Sequence, residues 1–228
     1  MPKHYQRDSD GTNRVVGGAV VIAIITVACL VMALFLRHGL PTGNTLAERM
    51  ALVSAHPIAW PLAWLPWMAS AVGLLLFCSW LRHYAPRSSL RFFGVTLVAI
   101  GVVPDITAEL IYAAVLPRLT DSAAAERFYD FELIATLLTG FAANGAYCLG
   151  GLMLNLALFR NRRFPRLVAW AGLPAWILGL GLSVAVINGE MHAAMVLTGA
   201  SMTLNLIWMA IVTAFIFPVP DRYRWQRA

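Results

Sequence analysis

The chain has 228 residues, of which 60% are hydrophobic and only 12% charged, and its formal net charge is +6. Soluble domains are about half apolar and about a quarter charged, so this composition excludes an ordinary soluble domain. The apolar residues occur in long blocks, which indicates a polytopic membrane protein. At this length we expect one all-α transmembrane domain covering residues 1–228.

Six blocks are long enough to cross a bilayer as helices, which takes roughly 18 apolar residues or more. The first is longer than the apolar core of a signal peptide, so we expect it to remain as a helix. The two longer connections, 37–56 and 117–130, each have room for a short surface helix, and Thr45 and Glu48 have the spacing of a capping box. The six blocks cover residues 15–36, 57–81, 92–116, 131–159, 166–187 and 191–217.

Basic residues predict the orientation. Cytoplasmic loops of membrane proteins carry an excess of lysine and arginine. Here 13 of the 17 basic residues lie in the two termini and in the second and fourth loops, including Arg222, Arg224 and Arg227 near the C-terminus. We therefore expect both termini in the cytoplasm and the chain in a bacterial inner membrane. This distribution, with contact to anionic membrane lipid, explains the net charge, so nucleic acid is not an expected partner.

Tryptophans mark the ends of several blocks. Trp60, Trp64 and Trp67 begin the second block, and Trp225 follows the last one. Tryptophan is typical of the membrane interface, because its ring has an apolar body and a polar edge. We expect the cluster of three to act as a lipid anchor, with a stacking surface for a flat ligand as the alternative.

Two acids, Asp105 and Glu109, interrupt the third block one helical turn apart. An ionisable residue inside the membrane is costly and by default indicates a function. Counting from Arg91 at 1.5 Å per residue places Asp105 about 21 Å into a membrane core of about 30 Å, in its outer third. Tyr112 shares their face. Pro104 removes a backbone donor, so we expect a loosened turn just before Asp105.

Polar stripes on two other blocks predict a shared cavity. One stripe lies on the fourth block and one on the sixth, and we expect both to face into the bundle and to line a polar cavity in the outer half. The stripe on the fourth block should face the third span. Spans three, four and six would be its main walls. At 100° per residue, the fourth block places seven residues within an arc of about 140°: Glu132, Thr136, Gly140, Asn144, Tyr147, Gly151 and Asn155. The sixth block places four on one face: Thr198, Ser201, Asn205 and Trp208.

The candidate catalytic residues are Asp105, as proton donor or acceptor, and Glu109, as its partner. Contact with water at the membrane interface is an alternative explanation for the positions of Glu132 and His192, and likewise for those of His56 and Glu190. The asparagines are also explained by hydrogen bonds between helices. The candidate substrate-binding residues are Tyr112, Glu132, Asn144, Tyr147, His192, Asn205 and Trp208.

No metal or cofactor is expected. The histidines lack the short spacings of common metal sites, and Cys29, Cys78 and Cys148 each lie alone in a different block. The single lysine, Lys3, lies in the N-terminal tail, which excludes a retinal-type Schiff base within the bundle.

Three functions remain open. The first is an enzyme or binding protein for a lipid-soluble small molecule, using Asp105 in proton transfer. The second is a small proton- or cation-coupled carrier, which at six spans would need to form a homo-oligomer. The third is a non-catalytic membrane partner or sensor subunit whose acids are structural.

Two segments carry a resemblance, "ANGAYCLGGLMLNLALFRNRRFPRLVAWAGLPAWILGLGLS" at 143–183 and "LNLIWMAIVTAFIF" at 204–217. Over these last three spans the chain resembles a loose bacterial group of six-helix integral membrane proteins of unknown function, which implies the architecture and no activity. The "NLIW" segment, with paired acids on another helix, is also similar to the emopamil-binding type of sterol isomerase. Those enzymes set acids and an N-x-x-W inside a membrane bundle. Here the acidic helix reads D-x-x-x-E and lacks that family's histidine at the matching place.

Overall fold

The computed structural model describes residues 3–218, with side chains from residue 11 onward. The C-terminal residues used above, Arg222, Arg224, Trp225 and Arg227, lie outside the described residues. Within that range the chain is helical and has no strand, which confirms the all-α prediction. Six helical stretches are long and apolar enough to cross a membrane.

Eight α-helices form the described chain. All six crossings overlap the predicted blocks, although the fourth begins at Ser122 and not at residue 131, and α2 is the surface helix predicted between the first two. The helices are α1 (Lys3–Leu34), α2 (Leu46–Ala55), α3 (Ala59–Leu81), α4 (Ser89–Leu110), α5 (Ala125–Thr136), α6 (Asn144–Phe159), α7 (Arg166–Ile187) and α8 (Met191–Phe215).

Two crossings contain wide turns. The third continues from α4 into a π-helical turn, Ile111–Val115, and the fourth joins α5 to α6 through a π-helical segment, Leu137–Ala143. The α-helix continues through Pro104, so the irregular turn lies after Asp105 and not before it as expected. The connection 117–130 holds only short 3₁₀ turns, Leu116–Leu119 and Ser122–Ala124, before α5 begins at Ala125. Single π turns inside helices occur often at functional sites.

The six crossings pack as a closed ring in chain order, with α1 also packing against α8. We call the end that carries residues 35–58 and 188–190 the Arg37 end, and the end that carries residues 82–88 and 160–165 the Arg82 end. The contact between the third and fourth crossings is close. A Cβ atom on Gly150 would lie 2.5 Å from the Gly94 carbonyl oxygen, so glycine is required where these backbones meet.

Aromatic side chains fill both ends of the bundle. At the Arg82 end, Phe77 packs against Trp208 and Phe217, and Trp176 contacts Trp208. At the Arg37 end, Trp60 and Trp64 are fully buried, at 0% and 1% exposed. The predicted role of these two as lipid anchors is therefore wrong. The segment 35–58 covers this end of α3 and makes the two indoles part of the core.

The capping box at α2 is present as predicted. The Thr45 hydroxyl accepts a hydrogen bond from the Glu48 backbone N–H, and the Thr45 backbone N–H donates to the Glu48 carboxylate at 2.7 Å. The Thr45 backbone N–H first, and then the Thr45 hydroxyl, which donates to the same carboxylate at 2.9 Å, hold the pKa of Glu48 below its usual range. Their stabilisation is therefore present at neutral pH and is lost as the pH falls through that lowered pKa.

We expect Thr45→Ala to weaken the first turn of α2 by about 1 kcal/mol, because one helical N–H group loses its acceptor. Hydrogen exchange of the amides at 46–49 should become faster, while exchange in α4 should not change. Ser54→Ala, an exposed substitution at the other end of the same helix, is the control. Equal exchange in the two variants would contradict the expected role of the cap.

Candidate functional site

Asp105 is held by two hydroxyl groups of the fourth crossing. Its Oδ1 accepts a hydrogen bond from Thr139 Oγ1 at 2.6 Å, and its Oδ2 accepts one from the Tyr147 hydroxyl at 3.0 Å. The side chain is 6% exposed. Both carboxyl oxygens are thus oriented by neutral donors, and the described residues place no cation in contact with them. Asp105 is a positioned carboxyl group rather than half of an ion pair.

Gly101 makes the bond from Tyr147 possible. A Cβ atom on Gly101 would lie 2.8 Å from the Tyr147 ring, so only glycine allows the ring to lie against α4 at this depth. Tyr147 can then reach Asp105, one turn further along the same helix. The sequence predicted this shared face of the third span and its contact with the fourth.

Thr139 contacts Asp105, but the sequence pattern did not include it among the candidate residues. At 100° per residue it falls just outside the predicted stripe on the fourth span. It lies, however, within the π-helical segment Leu137–Ala143, where each turn holds more residues than in an α-helix and the faces shift. The only sequence feature that could have indicated Thr139 is that it is a hydroxyl residue within an apolar block. The change of helix face in the π-helical segment cannot be predicted from the sequence.

The polar stripe on the fourth crossing divides between two neighbours. Thr136 and Tyr147 face the third crossing, as predicted. Asn144, in contrast, donates from Nδ2 to the Gly179 carbonyl at 2.5 Å and to Ser183 Oγ at 2.9 Å, and Asn155 donates to the Ala169 carbonyl. A stripe that spans about 140° is wide enough to contact both adjacent helices of a ring. The expectation that all of it faces the third crossing is therefore wrong.

Glu109 lies one turn beyond Asp105 and is fully buried. Neither of its carboxyl oxygens has a hydrogen-bond partner within the described part of the chain. The nearby Trp64 ring stacks on Tyr112 with 4.4 Å between centroids, and its indole N–H is also without a partner. A buried charge without a counter-ion is costly, so Glu109 is better suited to hold a proton than to bind an aqueous cation.

The sequence left open that Glu132 contacts water at the membrane interface, but the side chain is buried. It is 1% exposed and forms a bidentate ion pair with Arg49, with Nε to Oε1 at 2.7 Å and Nη2 to Oε2 at 2.6 Å. Arg49 is itself buried and also donates to the Asn44 carbonyl at 2.6 Å. This pair connects α2 to α5. The Thr136 hydroxyl donates to the Glu132 carbonyl and lies 2.8 Å from the Tyr112 hydroxyl.

A cavity of about 580 Å³ lies inside the bundle, with lining from all six crossings. Most of its wall is apolar, whereas the sequence predicted a polar cavity. Its lining includes Arg37 and Thr42 from the segment after α1, so it belongs to the Arg37 half. Asn205 is another lining residue, and its Oδ1 has no hydrogen-bond partner among the described residues. The polar side chains from the third and fourth crossings are Asp105, Tyr112, Thr136, Thr139, Asn144 and Tyr147.

Three candidate substrate-binding residues do not line the cavity. Glu132 is occupied by Arg49, as described above. His192 is exposed at the start of α8. Trp208 donates its indole N–H to the Val168 carbonyl at 2.9 Å, within the aromatic core at the Arg82 end. The structure thus brings together Asp105, Tyr112, Asn144, Tyr147 and Asn205, with Glu109 buried beside them.

The donor set around the cavity consists of hydroxyl, amide and carboxyl groups. Within residues 3–218, no group of three or more histidine, cysteine, aspartate or glutamate side chains comes together in a way that could hold a metal ion. In comparisons with known proteins, no family model, curated protein or solved structure matches this chain.

Proposed function

We propose that this integral membrane protein binds a lipid-soluble small molecule in the cavity and exchanges a proton with it through the carboxyl group of Asp105. The observation that carries the proposal is one positioned carboxyl group in the wall of a largely apolar cavity. Ligand sites are usually cavities of about 300–1,000 Å³ with apolar walls and a few placed polar groups. The volume here lies within that range.

Each polar group of the wall has a distinct proposed role. Asp105 is the proton donor or acceptor, and Thr139 and Tyr147 orient its carboxyl group. Glu109, one turn away, is its partner in holding the proton. The free Oδ1 of Asn205 accepts a hydrogen bond from a hydroxyl or amine group of the ligand. Tyr112 and Asn144 complete the polar wall.

The ligand enters from the membrane, between α1 and α8. Leu30 and Ala33 on α1 and Gly199 and Thr203 on α8 line the cavity and are also exposed on the bundle surface. The two helices contact each other toward the Arg82 end, where Gly18 lies against Thr213. A wall that opens sideways toward lipid favours a ligand dissolved in the bilayer over one dissolved in water.

The distribution of basic residues supports an outer location for this site. With the Arg82 end in the cytoplasm, as the positive-inside rule favours, the Arg37 end and the cavity lie in the outer half of a bacterial inner membrane. The site then opens away from the cytoplasm, and membrane lipid surrounds its entrance.

Filling the cavity tests the proposal. A Cβ atom on Gly199 meets no atom within 4 Å, so Gly199→Phe adds a ring to the cavity region without a backbone clash. Ala200→Phe is the matched control, because Ala200 is exposed on the same helix and is not a lining residue. Wild type and both variants are purified in mild detergent, and retained apolar compounds are identified by mass spectrometry after solvent extraction.

We expect wild type and Ala200→Phe to retain the same compound, and Gly199→Phe to retain about tenfold less, equivalent to roughly 1.4 kcal/mol of lost binding. Equal retention by Gly199→Phe and Ala200→Phe would mean that the compound binds elsewhere. Retention of nothing beyond bulk membrane lipid by wild type would overturn the proposal.

A further inference from the structure

A second hollow lies at the Arg82 end of the bundle, opposite the large cavity. Its volume is about 340 Å³, and it lies between the end of α3 and the beginning of α4. Three arginines, two hydroxyl residues and an aromatic ring form most of its lining: Arg82, Arg87, Arg91, Ser88, Thr96 and Phe92. None of the described residues that line it is acidic.

Local hydrogen bonds hold the third arginine at this hollow. Ser88 caps α4, with its hydroxyl oxygen accepting from the Arg91 backbone N–H at 3.3 Å. The Arg91 guanidinium donates through Nη1 to the Ala85 carbonyl at 3.2 Å. This bond folds the Arg91 side chain back over the loop that carries Arg82 and Arg87. The start of α4 adds the positive end of a helix dipole to the same place.

Three cations that converge on one hollow favour the binding of an anion there. Like charges brought together repel, and none of these three arginines forms an ion pair with a carboxylate among the described residues. The positive-inside rule explains why arginines lie on this side, but it does not require them to converge. Arg162 and Arg163, in the other loop at this end, are exposed, as are Arg82 and Arg87, but they line no part of the hollow.

The chemistry of the lining indicates which anion fits. Arginine presents a planar fork of donors that matches the oxygens of a phosphate group, and Ser88 and Thr96 add hydroxyl groups. Phe92 lines the hollow and is 67% exposed, so an apolar surface begins directly beside the charges. An anion with an attached hydrocarbon chain would contact both features at once.

We propose that this hollow is a binding site for a phosphodiester group, with the headgroup of an anionic phospholipid contacting Arg82, Arg87 and Arg91 and its acyl chain lying along Phe92. The site is separate from the large cavity and does not depend on the function proposed for it. It would hold the α3–α4 loop against the membrane surface at the Arg82 end.

The test compares two double variants of equal charge. Arg82→Gln/Arg87→Gln removes two cations from the hollow, and Arg162→Gln/Arg163→Gln removes two from the other loop at the same end. Arg91 stays unchanged, because its bond to Ala85 supports the loop. The full-length proteins are purified, freed of lipid and titrated with phosphatidylglycerol or phosphatidylcholine. Bound lipid is counted by native mass spectrometry, and a further arm measures the thermal unfolding midpoint with inorganic phosphate.

We expect wild type and Arg162→Gln/Arg163→Gln to bind phosphatidylglycerol about tenfold more tightly than phosphatidylcholine, and Arg82→Gln/Arg87→Gln to lose that preference. Suppose instead that wild type shows no preference for phosphatidylglycerol but that inorganic phosphate shifts its unfolding midpoint. If that shift is absent from Arg82→Gln/Arg87→Gln, the site binds free phosphate and the lipid proposal is overturned. Equal loss in both double variants, or no loss in either, would overturn the site.

Discussion

Arg49→Ala should lower the free energy of unfolding by about 3–5 kcal/mol, which is the usual cost of removing one partner of a buried ion pair. The guanidinium satisfies both oxygens of Glu132, and both side chains are almost inaccessible to solvent. Removing Arg49 leaves a carboxylate in an apolar environment without a counter-ion. Glu132→Ala should have a similar effect, because it leaves the guanidinium unpaired. Unfolding with increasing denaturing detergent, followed by circular dichroism, measures the change.

Two controls separate this effect from a general loss of charge. Arg118→Ala removes an exposed arginine from the same end and should cost less than about 0.5 kcal/mol. The double variant Arg49→Met/Glu132→Leu replaces the pair with apolar side chains of similar length and should recover most of the stability. If Arg49→Ala costs no more than Arg118→Ala, the pair does not stabilise the fold.

The ion pair also explains why α2 stays on the bundle. Only two of its apolar side chains, Met50 and Val53, are buried, and Leu46 and Leu52 are half-buried against the same cluster. Arg49 adds three hydrogen bonds, two of them to the fourth crossing. The ion pair lies next to the polar wall of the cavity, because the Glu132 backbone carbonyl accepts a hydrogen bond from Thr136, whose hydroxyl lies 2.8 Å from that of Tyr112.

The crossings were predictable from sequence because the length of an apolar block reports directly on the thickness of the membrane. The surface helix α2 was predictable because a capping box is a local signal, contained in four residues. Arg49 and Glu132 had no such signal. They are 83 residues apart, and each alone has the composition of an exposed interface residue.

The errors in the predicted site have two physical causes. Tryptophan occurs both at the membrane interface and in protein cores. The sequence does not show that the segment 35–58 folds over Trp60 and Trp64. The π-helical segment at Leu137–Ala143 changes the local register within the fourth crossing, so a pattern built on 3.6 residues per turn misplaces Thr139 inside it. Asp105 and Tyr147 were predictable because each lies outside that segment.

The carrier hypothesis and the enzyme hypothesis place different demands on the two ends of the bundle. A carrier must open its site to the other side as well, through the end where Phe77, Trp176, Trp208 and Phe217 pack together. Opening that end would require helices to slide past one another. Gly94 and Gly150 instead bring two helix backbones into tight contact, which opposes sliding. In proteoliposomes, movement of the retained compound that follows an imposed pH gradient would favour the carrier. Indifference to the gradient would favour a site that opens on one side only.

Asp105→Asn should abolish proton exchange with the bound compound while leaving the amount of bound compound nearly unchanged. The amide has the size of the carboxyl group, and its oxygen can still accept the hydrogen bond from Thr139. It cannot release or take up a proton under ordinary conditions, and a positioned acid or base contributes about 10²- to 10⁴-fold to the rate of such a step. Incubation in heavy water, followed by mass spectrometry of the retained compound, measures the exchange as deuterium bound to carbon.

Asp130→Asn is the matched control, because Asp130 is an exposed aspartate on α5. It should incorporate deuterium as wild type does. Thr139→Val removes one orienting hydroxyl but keeps the carboxyl group, so it should slow incorporation by less than Asp105→Asn does. A wild-type protein that retains a compound yet never places deuterium on its carbon atoms would limit the cavity to binding. Incorporation that continues in Asp105→Asn would show that another group exchanges the proton. The next residue to replace would then be Glu109, which is buried one turn away and has no hydrogen-bond partner among the described residues.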